Sequence, residues 1–441
     1  MKKYFLYLLG ALATIACTND EISELSSPEE CKSLVVDSFY VPYETALKYA
    51  LEAIDNGSTT MTRVASPERR VASHYEYVAN KMTRSASDDV EARFHVINFE
   101  DNKGFALVSA DSRTTPVYAY SETGNIDIDN AIENSGFGDF MEAAEEYYIM
   151  ETSLGDSIGG QLLPKDPTLP ITPVPTNPIQ MLPIVELDGV NYYLGGSDVS
   201  CTNPGGVLLG VEWHQVWPYN YYCGLNPDQG RYEGERNSAG CGPIAAAQIM
   251  SYFKYPLSFG GYTFDWNGIV SSPYFLEVYP QISNSAKSAA RLINLIGIEA
   301  NAVYGRSTDV SIGDMYGMFR TFGYSCSTPS GHNPSNIKES LDNNSLVCFG
   351  GINNTRDGHL WVIDSYKQTQ IINIYYHMQE PYDVYRTTVT YGNIYYHCNW
   401  GWVNNENTTF GASDNCNGWY LDVFRGFCND KVMIYNIRPN I

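Results

Sequence analysis

Apolar side chains recur along the first third of the chain with two different periods. Over 42–54, Ala46, Leu47, Ala50, Leu51 and Ile54 stand three and four residues apart, which gathers them on one face of a helix. A polar, arginine-dotted stretch follows at 61–89. Then the runs 94–99 and 104–109 read as strands joined by the turn Glu100-Asp101-Asn102-Lys103, and 116–120 reads as a third strand. A second helix is predicted over 138–153. These elements make a small α+β unit within 18–153.

The pattern then breaks. Seven prolines fall between 164 and 183, and so dense a run neither continues a helix nor pairs inside a sheet. Residues 154–194 therefore read as an extended, exposed linker, the kind of segment that proteases cut. Beyond it, 195–441 holds all seven tryptophans and eight of the ten cysteines. The aromatic weight of the molecule sits in this second domain.

The N-terminus reads as an address. Lys2 and Lys3 precede an apolar run at 4–16, too short to cross a bilayer and right for a secretory signal. It ends Thr14-Ile15-Ala16-Cys17, which resembles a bacterial lipobox with Thr14 where leucine is usual. Residues 1–17 are expected to be a lipoprotein-type signal, Cys17 the lipidated residue, and that lipid the only contact with a membrane. The protein is expected at the cell envelope, or secreted after processing.

Charge narrows the partners. With 27 Lys+Arg against 50 Asp+Glu the net charge is −23, which excludes a nucleic-acid partner, since phosphate binding needs clustered cations. Ten cysteines in 441 residues are too few for a disulfide scaffold. No CxxC or HxxxH spacing occurs, so no metal is expected, and the thiol chemistry read below requires no organic cofactor.

The sharpest local signal is Ser238-Ala239-Gly240-Cys241-Gly242-Pro243, followed by a breaker-free run to Phe253. Two glycines let the backbone turn tightly around Cys241, and proline is tolerated in a first helical turn. A cysteine is thereby set at a helix N-terminus, where free N–H groups and the helix dipole favour the thiolate, the nucleophilic form. A base is then needed. His359, in Asp357-Gly358-His359-Leu360-Trp361-Val362, sits at the start of a predicted strand. Asn399-Trp400-Gly401-Trp402 supplies an amide to orient the imidazole and a large ring to shield it. Gln215, 26 residues before Cys241, offers an amide N–H that could join the Cys241 N–H in an oxyanion hole. His214 reads as a rim residue and His397 as a neighbour of the orienting group.

Taken together, the pieces resemble the streptopain family of secreted bacterial cysteine peptidases. They are Gln215 with Pro218-Tyr219-Asn220, Ala239-Gly240-Cys241 with Ala247-Gln248-Ile249-Met250, Phe264-Asp265-Trp266-Asn267, Gly358-His359 with Val362-Ile363-Asp364, and Asn399-Trp400-Gly401-Trp402. The resemblance implies an α+β fold: a papain-like domain with a helical part and an antiparallel β part over 195–441, preceded by a small α+β prodomain. It implies Cys241 as nucleophile, His359 as general base, Gln215 in the oxyanion hole, and Asn399 and Trp400 as the pair that orients and shields the histidine. The run Gly104-Phe105-Ala106-Leu107-Val108-Ser109 is similar to the strand region of the family's inhibitory pro-segment, so a zymogen opened by cleavage in the linker is implied.

The expected partners are protein or peptide substrates and the chain's own pro-segment. Two departures stand out: Gly242-Pro243 after the cysteine, and a polar insertion after Trp402 that contains Cys416. Cysteine pairing stays open, with Cys416–Cys428 one closure of the loop around Trp419. Two other functions share these features: an acyltransferase on the same scaffold, and a latent surface binding or inhibitor protein.

Overall fold

The computed structural model describes residues 39–57, 69–78, 92–126, 128, 136–157, 184–187, 189–229, 234–352, 358–379, 384–402, 416–424 and 431–441. The leader with Cys17, all seven linker prolines, the polar insertion after Trp402 as far as 415, and Cys428 lie outside the described residues.

Near the N-terminus, α1 (Tyr43–Gly57) crosses a four-stranded antiparallel sheet of β1 (Val71–Tyr77), β2 (Phe94–Phe99), β3 (Phe105–Ser109) and β4 (Val117–Ser121). Alternation decides which side chain goes where. Ala106 and Val108 face Ala46, Ala50 and Ile54 of α1. Phe105 and Leu107 face the opposite way, toward Phe140 and Ala144 of α2 (Gly136–Ser157). Helices on both faces explain why β2, β3 and β4 are buried at every residue. The strand β1 falls within the polar stretch 61–89; among the described residues it lies at the sheet edge and pairs only with β2, and most of its side chains are partly or fully exposed.

In the second half, β5 (Ile184–Leu187) and β6 (Val190–Thr202) form a hairpin, and β6 pairs with the long strand β8 (Gly358–His377) from Lys367↔Thr202 to His377↔Tyr192. Residues 184–187 and 190–194, read from sequence as the end of the linker, thus belong to the sheet. The other strands are β7 (Val347–Ile352), β9 (Val384–Asn399), β10 (Gly418–Leu421) and β11 (Val432–Ile434). The sheet runs β1-β2-β3-β4-β10-β9-β8-β7-β11 and then the short strand Ser330–Gly331. The junction is the pairing of β4 with β10, at Trp419↔Tyr120 and Tyr420↔Ala119. The N-terminal unit and the aromatic-rich domain share one sheet, and 39–441 forms one compact unit.

Alternation along β8 also sorts the cores. Leu360 and Val362 face α3 (Cys241–Phe253), α4 (Asn284–Glu299) and α5 (Ile312–Thr321). Trp361 and Ile363 face α2 and α6 (Pro334–Asp342). His359, odd-numbered like Trp361, shares the α2 side.

Candidate active site

The helix α3 begins at Cys241, where the glycines and proline predict it. Gly240 has φ 91°, a region that side chains avoid, and a Cβ there would also sit 2.9 Å from Thr308 Cγ2. Gly242 is equally constrained: a Cβ would strike Val310 and come within 3.1 Å of Leu360 Cδ1. The Gly242-Pro243 departure is thus a close fit of the helix start against β8. Burial pushes the Cys241 thiol above its ordinary value, opposed by the backbone N–H groups of Leu360, Gly242 and Cys241 itself, with Asp309 also raising it. The N–H groups are in place to hold a thiolate, but in this closed chain desolvation wins.

His359 is buried at the start of β8, its ring stacked 6.1 Å from Trp361. Its Nε2 lies 2.8 Å from the Trp400 carbonyl oxygen. A carbonyl only accepts, so Nε2 carries the proton and Nδ1 is the basic atom of the neutral ring. Burial lowers the His359 value, against the pull of the Trp400 carbonyl and of the Asp139 carboxylate. Thiol and imidazole are both held neutral.

Gln215 is tied to the same loop. Ala239 N donates to Gln215 O (2.8 Å), and Ser238 Oγ donates to Gln215 Oε1 (3.0 Å). With Oε1 engaged, the Nε2 end is the one left for an oxyanion. Ser238, which sequence reasoning passed over, also accepts from Gly240 N (3.3 Å) and is held through its carbonyl by Thr308 Oγ1 (2.7 Å). Its one signal was its place two residues before Gly240. We expect Ser238→Ala to lower kcat about 3- to 30-fold with KM little changed, and Gln215→Ala to lower kcat by roughly 10² or more, as loss of an oxyanion donor does. Steady-state kinetics on a peptide substrate checks both.

The Asn399 amide does not meet the imidazole in this structure. Its Nδ2 donates to Val211 O (2.9 Å) and its Oδ1 accepts from Gly401 N (3.2 Å). The contact to the imidazole comes from the next residue's main chain. Trp400 is fully buried, its N donating to Asn417 Oδ1 (3.0 Å) and its indole packed on Trp361 and Tyr420. His214, read as a rim residue, is buried instead, and burial pushes it down to about 3. His397 bonds through Nδ1 to Asp364 Oδ1 at 2.6 Å, which places it in a separate pair. Among the described residues no group of three or more His, Cys, Asp or Glu could hold a metal ion.

The N-terminal unit reaches into this site through α2. Gly136, its first residue, packs so closely that a Cβ would lie 2.6 Å from His359 Cδ2 and 2.6 Å from Trp400 Cε3. Phe137 and Phe140 follow, Phe140 meeting the Tyr420 ring edge-on at 4.8 Å. Both are fully buried, which contributes about 1.5–3 kcal/mol each. Asp139 forms an ion pair with Lys431 at 3.7 Å. Because nothing larger than glycine fits at the first position, we expect Gly136→Leu to unseat the helix start and raise the basal activity of the uncut chain. A fluorogenic peptide assay before proteolysis checks this.

Comparison with known proteins accounts for both halves. Residues 213–410 match the model of the Peptidase C10 family, and residues 36–148 match that of the Spi protease inhibitor. Streptopain of Streptococcus pyogenes is 24% identical over 333 residues, covering 68% of this chain and 69% of its own length. The thiol protease/hemagglutinin PrtT of Porphyromonas gingivalis is 22% identical over 393 residues, 80% of this chain and 38% of PrtT. Among solved structures, a fragment of Prevotella intermedia prointerpain A aligns with a TM-score of 0.47 and 16% identity, over 83% of this chain and 98% of that one. Residues 213–410 thus form a Peptidase C10 domain, that of the streptopain-like cysteine endopeptidases, and residues 36–148 an inhibitor-type pro-domain ahead of it.

Proposed function

We propose that the chain is an exported, lipid-anchored peptidase zymogen in which Cys241 is the nucleophile and His359 the general base. The observation that carries this is the setting of Cys241: the first residue of a buried helix, with three backbone N–H groups turned toward its sulfur and the start of β8 beside it. In the opened enzyme His359 Nδ1 takes the thiol proton and the thiolate attacks the peptide carbonyl carbon. The oxyanion is held by the Cys241 N–H and Gln215 Nε2. The His359 proton passes to the leaving amine as the C–N bond breaks. Water, deprotonated by the same imidazole, then cleaves the thioester. Trp400 holds His359 through its carbonyl, and Asn399 holds the loop that carries Trp400.

Latency follows from α2. It covers His359, fills the adjoining aromatic surface with Phe137 and Phe140, and keeps water from the imidazole, which stays uncharged. Cleavage between about 154 and 194 would free 18–153 from the peptidase domain at 195–441. Lipidation at Cys17 would tether the uncut chain to the envelope.

The test is casein hydrolysis by the purified chain before and after limited proteolysis in the linker. The reading expects activity only after cutting, and none from a cut Cys241→Ala protein. An acyltransferase would instead move acyl groups to added amines in preference to water. Casein cleavage unimpaired in Cys241→Ala would discard the assignment.

A further inference from the structure

The Asp139–Lys431 pair lies across the boundary along which the pro-segment must part from the peptidase domain. Lys431 stands just before β11, whose Val432 pairs with Gly350 on β7. The next β7 residue, Gly351, is the cross-strand partner of His359. Directly opposed residues project from the same face of a sheet, so the space above Gly351 is continuous with that beside the imidazole. Gly351 has no side chain to fill it. The Lys431 ammonium does, and a Cβ at Gly351 would strike it and lie 2.9 Å from Asp139 Oδ2.

Both partners are almost wholly buried, with 3% and 2% of their side chains exposed. Asp139 Oδ2 has no partner within ordinary hydrogen-bond distance, and the ammonium at 3.7 Å is what compensates its burial. Three and seven residues further along α2, Glu142 and Glu146 extend an acidic stripe: Glu142 acts on Asp139, and Lys431 acts on Glu146. Lys431 itself packs 5.5 Å over the Phe424 ring, a contact that stays with the peptidase domain. When α2 leaves, the ammonium loses its partner and remains beside His359, on the face of β7 and β8 turned away from α3. His359 delivers its proton to the departing amine, so substrate residues that follow the scissile bond run past this face.

We infer that Lys431 is a specificity-determining residue: it binds a carboxylate side chain of the substrate on the leaving-group side, where Asp139 sits in the uncut chain. The inference rests on the peptidase reading above. The helical pro-segment does not fix which leaving-group position is read, so the probe scans several.

The experiment uses the linker-cut chain and fluorogenic peptides identical up to the scissile bond. Glu or Gln is placed at the first, second or third position after it. At one of these positions kcat/KM should favour Glu over Gln about tenfold or more, as a charged hydrogen bond requires. Lys431→Met should bring that ratio to near one while still cleaving the Gln peptides, and Lys431→Arg should keep the preference. No Glu preference at any position in the wild-type chain, or the same preference in Lys431→Met, overturns the inference and leaves the peptidase reading intact. Failure of the wild-type cut chain to cleave any of the peptides overturns both.

Discussion

Replacing Cys241 by Ala in the cut chain is expected to lower kcat/KM on a peptide substrate by about 10⁴-fold or more, roughly 5 kcal/mol of transition-state stabilisation. His359→Ala should cost nearly as much. The double variant should cost little beyond either, because nucleophile and base act as one unit. Asn399→Ala provides the contrast. Its amide holds Val211 O and Gly401 N while the imidazole is held by the Trp400 carbonyl. Its loss should loosen that carbonyl indirectly, at about 10- to 100-fold, and substituting Asp should not restore the rate. Three kcat/KM values decide the order. An Asn399→Ala loss equal to that of Cys241→Ala would mean that the amide reaches the imidazole directly in the opened enzyme.

The second large effect concerns the protonation of the pair. In the uncut chain burial raises the Cys241 thiol and lowers the His359 imidazole, so both groups are neutral near pH 7. Alkylation of Cys241 by iodoacetamide should be slow there and keep climbing with pH, because only the thiolate reacts. Cutting exposes the pair to water, the imidazole can charge, and the three N–H groups at the start of α3 then hold a thiolate. Paired active-site thiols of this kind titrate at about 3.5–7.5. At pH 6 the thiolate fraction should rise on the order of 10³-fold. A less basic thiolate is also a weaker nucleophile, which takes back tens-fold. The net gain in alkylation rate should be about tenfold or more, with a plateau through mildly acidic pH in the cut chain. Parallel pH profiles before and after cutting would contradict the account.

Much of this arrangement was legible in the chain because local rules decide it. The helix start at Cys241 follows from glycines that nothing larger can replace and a proline that fits only a first turn. The strands at 94–99 and 104–109 follow from apolar runs between turn residues. Other features depend on what lies opposite. The strand β1 reads only as part of a polar stretch because, at the edge of the described sheet, it needs no apolar face. The pairing of β5 and β6 with β8, and of β4 with β10, joins segments far apart in sequence, which no local period records. Ser238 is one serine among many until the fold brings Gln215 to its hydroxyl. His214 looked like a rim group from its place beside Gln215, whereas its environment is set by Tyr219 and the core beneath α3. Asp139 and Lys431 carry no motif at all; only the seating of α2 on the sheet makes them a pair.

The central claim is that Cys241 is the nucleophile and that the N-terminal unit gates it. It is tested most directly by incubating the chain, uncut and cut in the linker, with an epoxysuccinyl thiol inactivator and mapping the adduct by peptide mass spectrometry. The account predicts one stoichiometric adduct on Cys241 in the cut chain and almost none in the uncut chain over the same time. Stoichiometric labelling of a different cysteine, or equal labelling of Cys241 before and after cutting, would contradict it.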